Sequence, residues 1–141
     1  MSAHNRHVFV YGTLRRGGVN DITQLTPAPQ FVGRAAIWGT LYHLGAYPGL
    51  VLDGTISGSV PFKVVGEVYA ITSTLERALD EIEGLWPVPN GEYIKREVPV
   101  DVTGNQVVCI VYEVALLHLK NREVIASGDW MQRLNSSAPR L

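Results

Sequence analysis

Only one stretch of this 141-residue chain carries a helical period. In "STLERALDEIEG", residues 73–84, Leu75, Ala78, Leu79 and Ile82 recur at the i, i+3, i+4, i+7 spacing that places them on one helix face. Ser73 with Glu76 has the form of a capping box, and Gly84 can supply the left-handed residue that ends the helix. The other apolar patterns read as strands. His7 to Val10 is a short run suited to full burial, and "RAAIWGTLYHL" (34–44) is a strand in which Gly39 marks a bend or bulge. "FKVVGEVYAI" (62–71) alternates, with Val65, Glu67, Tyr69 and Ile71 on one face. "YIKREVPVDV" and "QVVCIVYEV" flank "TGN" as a hairpin, with Pro99 limiting the pairing of the first strand. Between these, "GAYPGLVLDGTISGS" (45–59) reads as loop for much of its length, and the tail from Leu116 as weakly helical or irregular. One helix for so many strands predicts a β-rich α+β fold with its sheet curled into a barrel.

Totals narrow the function classes. The length fits one domain over residues 1–141, and 46% hydrophobic against 18% charged residues argues against intrinsic disorder. A formal net charge of −1 offers no electrostatic ground for binding nucleic acid or an anionic membrane. The opening "MSAHNRH" lacks the apolar core of a secretory signal, and no apolar stretch approaches the ~20 residues that span a bilayer. A lone Cys109 rules out an intramolecular disulfide and fits a reducing compartment. The expectation is a soluble, cytoplasmic protein.

Most familiar catalytic patterns are missing. The loop after Tyr11 lacks both a nucleotide P-loop and a dinucleotide GxGxxG, and "GTISG" (54–58) holds its serine one place off a nucleophile elbow. The four histidines lie far apart, so no metal site is expected, and Cys109 within "VVCIVY" reads as a small core residue. Two features stand out. Glu83 sits about 80° from Leu75 around the helix, at the edge of the apolar stripe. It also lies at the helix C-terminus, where the dipole disfavours a carboxylate. Partial burial would act in the same direction and leave a group able to take and give a proton near neutral pH; the alternative is a solvated glutamate. The second feature is "VFVYGTLRRGG" (8–18), a buried strand that breaks into a turn. That turn is either an ordinary strand exit or an anion-binding nest of N–H groups, with Arg15 and Arg16 as cationic assistants.

Taken together, "VFVYGTLRRGGVN", "AYPGL", "GEVYAI", "LDEIEG", "YIKREVPV", "VVCIVYEV" and "SGDW", in this order, resemble the gamma-glutamylcyclotransferase-like, or AIG2-like, family. The resemblance runs from Val8 to about Trp130 and implies a small mixed β-barrel with flanking helices, with its core at about residues 8–130. It implies that Tyr11, Gly12, Thr13 and Leu14 bind the glutamyl part of a small gamma-glutamyl amine or peptide, and that Glu83 is the catalytic glutamate. Tyr11 would wall the pocket or donate a hydrogen bond; Tyr93 is either the opposite wall or core. Intramolecular attack of the alpha-amine on the gamma-carbonyl would yield 5-oxoproline, a closure that calls for no metal or cofactor. Two rivals stand beside this: a non-catalytic binding module for a small acidic metabolite, and an amidase releasing glutamate. No nucleic-acid or membrane partner is expected, and a monomer or homodimer fits the size.

Overall fold

A computed structural model of the chain describes residues 3–56 and 62–132, so Ser57 and Gly58 of "GTISG" and both chain ends lie outside the described residues. Among the described residues, seven strands, β1 (Arg6–Val10), β2 (Gln30–His43), β3 (Pro48–Leu52), β4 (Phe62–Ile71), β5 (Tyr93–Val102), β6 (Asn105–Val114) and β7 (Glu123–Val124), accompany the α-helix α1 (Ser73–Ile82), and residues 130–132 are also helical. Short 3-10 turns occur at Ile22–Gln24 and Leu116–His118. β1 pairs antiparallel with β4, β4 with β2, and β2 with β3. Parallel contacts of β6 with β3 (Leu50 opposite Glu113) and with β1 (Val8 opposite Ile110) complete a five-stranded ring. This is the expected α+β architecture, a small barrel of mixed strand direction. β5 hangs from β6 and β7 from the far end of β2.

Closure depends on a segment that composition alone assigns to loop. Pro48–Leu52 is a strand, with Leu50 wholly buried. Proline is tolerated as the first residue of a strand, and Gly49 lets the backbone approach β6: a Cβ there would lie 2.8 Å from Val114 Cβ. Burial thus overrides the turn-forming composition of this stretch. Gly39 is not a bulge. It pairs in register with both Leu52 and Phe62, where β2 passes from β4 to β3, and a Cβ would meet the Val51 carbonyl oxygen at 2.6 Å. The register shift in β2 lies instead between Phe31 and Gly33.

Alternation along the strands separates two apolar clusters. Phe9, Leu41, Leu50, Val68 and Val111, one from each barrel strand, belong to the first. Val8, Tyr69, Ile71, Ile110 and Tyr112 turn the other way and pack with Leu75 and Leu79 of α1. The helix begins one residue earlier than its sequence pattern suggests. Thr72 is the N-cap, its Oγ1 accepting from the Leu75 amide at 3.1 Å. Glu76 therefore forms no capping box and instead meets Arg6 (3.0 Å) and Lys95 (2.5 Å). In the β5–β6 hairpin, Thr103 and Gly104 both take positive φ (48° and 87°), the two-residue turn that suits the strand twist. No helix among the described residues is long and apolar enough to cross a membrane.

Candidate active site

A cavity of about 250 Å³ opens where the end of β1, the turn after it and the end of α1 converge. Glu83, Tyr11, Gly12, Thr13, Leu14 and Tyr93, the six residues singled out in the sequence, all line it. The volume falls just below the ~300–1,000 Å³ of drug-sized sites and so suits a small ligand.

The turn presents its amides. The carbonyls of Gly12, Thr13 and Leu14 accept from the amides of Arg15 (3.0 Å), Asn20 (2.9 Å) and Ile22 (2.9 Å). Their own N–H groups meet no acceptor among the described residues. Buried or half-buried donors left this way call for an external acceptor. Gly12 is required by space, since a Cβ would lie 2.6 Å from Pro48 Cγ.

The two arginines do not assist the turn as cations facing the cavity. Arg15 is 5% exposed, and its Nε and Nη1 donate to Glu67 and Asp129, both at 2.7 Å. Glu67 also accepts from the Arg16 amide at 2.9 Å and the Tyr69 hydroxyl at 3.1 Å. Arg16 is exposed and absent from the cavity lining. Arg15 therefore ties the turn to β4 and to the segment around Trp130. That tie uses the glutamate of "GEVYAI" and the aspartate of "SGDW".

Glu83 is the C-cap of α1, its amide donating to the Leu79 carbonyl at 2.9 Å. Its half-buried carboxylate has no hydrogen-bond partner among the described residues. Burial, then the negative charges of Glu92 and Asp80, push its pKa up to about 7. Asp80, one turn before it on α1, accepts from Tyr112 Oη at 2.7 Å and Lys95 Nζ at 3.0 Å. Gly84, at φ +76°, reverses the chain after the helix, and the Asn90 amide bonds to its carbonyl at 2.9 Å.

That reversal delivers a residue that sequence reasoning did not single out. Glu92 lines the cavity and accepts from Tyr47 Oη at 2.5 Å. No periodicity marks it, because it lies in a loop and is brought in by tertiary folding. Tyr11 and Tyr93 are walls whose phenols are already committed. Tyr11 Oη donates to the Tyr112 carbonyl at 2.6 Å and accepts from the Leu50 amide at 3.2 Å; Tyr93 Oη donates to the Pro48 carbonyl at 2.7 Å. Burial holds both phenols well above their ordinary pKa, so they stay protonated. Trp86 takes no part in the lining and lies under the Arg77 guanidinium at 4.4 Å. Cys109 is fully buried, its thiol pushed up to about 12, as suits a core residue. Among the described residues, no group of three or more His, Cys, Asp or Glu is arranged to hold a metal ion.

Residues 8–132 match the family model described as gamma-glutamyl cyclotransferase, AIG2-like. A Vibrio cholerae protein named "Putative gamma-glutamylcyclotransferase" is 36% identical over 90% of this chain and 96% of its own length. The gamma-L-glutamyl-butirosin B gamma-glutamyl cyclotransferase of Niallia circulans is 35% identical over 55% of this chain and 45% of that protein. Among solved structures, an AIG2-like protein from Mus musculus superposes with a TM-score of 0.62 at 27% identity, covering 78% of this chain and 77% of that one. Sequence match and fold agree: the chain belongs to the AIG2-like gamma-glutamyl cyclotransferase family and is an enzyme of that type.

Proposed function

We propose that this chain cyclises the gamma-glutamyl group of a small gamma-glutamyl amine or peptide to 5-oxoproline and releases the free amine, with Glu83 carrying the protons. The observation that carries this reading is the pairing within one cavity of a carboxylate whose pKa is pushed up to about 7 with three backbone N–H groups, none of them partnered among the described residues. The substrate class is supported by the family and by the Niallia circulans relative, whose name specifies a gamma-glutamyl substrate.

The attacking alpha-nitrogen and the gamma-carbonyl belong to one molecule. Well-oriented intramolecular attack reaches effective molarities of about 10⁵–10⁸ M, so the closure needs no enzyme nucleophile and no cofactor. Ionised Glu83 takes a proton from the alpha-ammonium, and the freed amine attacks the gamma-carbon. As the lactam C–N bond forms and the original amide C–N bond breaks, protonated Glu83 returns its proton to the departing nitrogen. Two protons leave the alpha-nitrogen and two reach the amine when it departs as an ammonium, so Glu83 acts twice and ends unchanged. A pKa near the working pH suits both directions of transfer. The Gly12, Thr13 and Leu14 amides hold the alpha-carboxylate or the developing oxyanion; a single oxyanion donor is worth ~2.7–4 kcal/mol. Tyr11 and Tyr93 shape the space in which the glutamyl chain folds back.

The test follows 5-oxoproline and glutamate while wild type and Glu83→Gln are incubated with gamma-glutamyl amines, amino acids and peptides. Wild type should release 5-oxoproline and Glu83→Gln should lose at least ~10²-fold in rate, the usual worth of a general acid–base group. Glutamate as the product would replace cyclisation by hydrolysis. Binding without either product would leave a non-catalytic ligand module.

A further inference from the structure

We propose that Glu92 and Tyr47 form a subsite for the departing amine, and that it selects amines which carry a further positive charge of their own. The inference rests on the cyclisation reading above and begins with a charge count. Among the described residues lining the cavity, Glu83 and Glu92 are the charged ones, and none is a Lys or Arg. The glutamyl part of the substrate is a zwitterion. Its ammonium is matched by Glu83 and its carboxylate by the amides of the turn. Among the described residues lining the cavity no cation matches Glu92, so its negative charge is open to the rest of the ligand.

Glu92 is also held in place. Its amide donates to Asn90 Oδ1 at 3.0 Å, its carbonyl accepts from the Ala115 amide at 2.8 Å, and Tyr47 Oη binds Oε2 at 2.5 Å. That leaves Oε1 with no partner among the described residues. The Tyr47 and Tyr93 rings stand 6.4 Å apart at 48°, adding aromatic surface on which a cation is favoured. Arg122 is the cation whose charge reaches Tyr47, but its guanidinium donates to the Leu44 carbonyl at 3.5 Å and does not line the cavity. An ammonium-bearing amine thus gains a carboxylate oxygen and aromatic faces. A departing amino acid would set its own carboxylate against Glu92.

Three probes separate the possibilities: the gamma-glutamyl derivatives of 1,4-diaminobutane (cationic), butylamine (neutral) and alanine (anionic). With the full chain, kcat/KM for 5-oxoproline release should favour the diamine over the butylamide by roughly fivefold, the upper end of what one solvent-accessible charge pair provides. The alanine derivative should be the poorest. Glu92→Gln should bring the diamine-to-butylamide ratio close to one. Any effect of Glu92 on Glu83 is common to both substrates and cancels in that ratio. Raising salt should lower the ratio in the wild type, so the wild-type series decides the matter even if the variant misfolds. Turnover of all three probes without charge preference, or an unchanged ratio in Glu92→Gln, overturns the subsite and leaves cyclisation standing. Turnover of none by a folded sample refutes cyclisation itself and the subsite with it.

Discussion

Tyr11→Phe removes one oxygen atom from the cavity wall, and the surrounding geometry states what that oxygen does. It donates to the Tyr112 carbonyl on β6 at 2.6 Å and accepts from the Leu50 amide on β3 at 3.2 Å. Leu50 is also the residue whose register contact with Glu113 joins β3 to β6. The phenol therefore bridges the two strands where the barrel closes. Leu50 is 0% and Tyr112 2% exposed, so water cannot readily take its place. Each buried group left unsatisfied costs about 1–3 kcal/mol, and some relaxation gives about 2–4 kcal/mol for the pair. For a chain of this length that is a fall in Tm of roughly 6–12 °C. Urea unfolding of wild type and variant measures it directly: the midpoint should drop with an unchanged slope, while activity of the folded fraction changes severalfold at most. An unchanged midpoint together with a collapse in kcat/KM would refute the bridge. It would mean that the phenol serves the ligand.

Glu83 predicts opposite pH trends for stability and rate. Its folded pKa of about 7 lies above the ordinary 4.5, so its stabilising contribution is complete below the lower value and is lost as pH rises through the upper one. Glu83→Gln, which imitates the protonated form, should therefore match wild type near the lower pH and exceed it above the upper one by on the order of 3 kcal/mol in urea titrations. The wild-type rate should run the other way, with kcat/KM falling about tenfold per pH unit on the acid side of that folded pKa. Arg15→Ala leaves Glu67 and Asp129 without their shared cation. A loss of about 3–5 kcal/mol is expected in denaturant unfolding, and Arg15→Lys should recover only part because it cannot reach two carboxylates as a fork.

Several parts of the site were legible in order along the chain. The helix period placed Leu75 and Leu79 in the core and left Glu83 at the helix end, and Gly84 takes the left-handed conformation its position suggested. The hairpin was marked by "TGN" and the wall residues by the family's motifs. Other parts were not. The Gly- and Pro-rich stretch around Pro48 conceals a barrel strand, because local composition reports flexibility and not the burial that overcomes it. The arginines after "YGTL" looked like anion ligands, yet Arg15 is consumed by partners 52 and 114 residues away.

The division follows the range of the forces. Turn geometry, helix period and strand alternation act over a few neighbouring residues, so the sequence alone determined the α+β class, the helix that ends in Glu83 and the presence of a turn after Tyr11. Hydrogen-bond partners and electrostatic environment depend on residues distant in the chain. The link from Tyr11 to Tyr112 spans 101 residues, and Glu92 acts on Glu83 only because the chain reverses at Gly84. Folding alone decided that the Tyr11 phenol closes the barrel, that Arg15 anchors the turn, and that a second carboxylate shares the cavity. Those contacts set the charge of the site, since each depends on which distant groups the barrel brings together and removes from water.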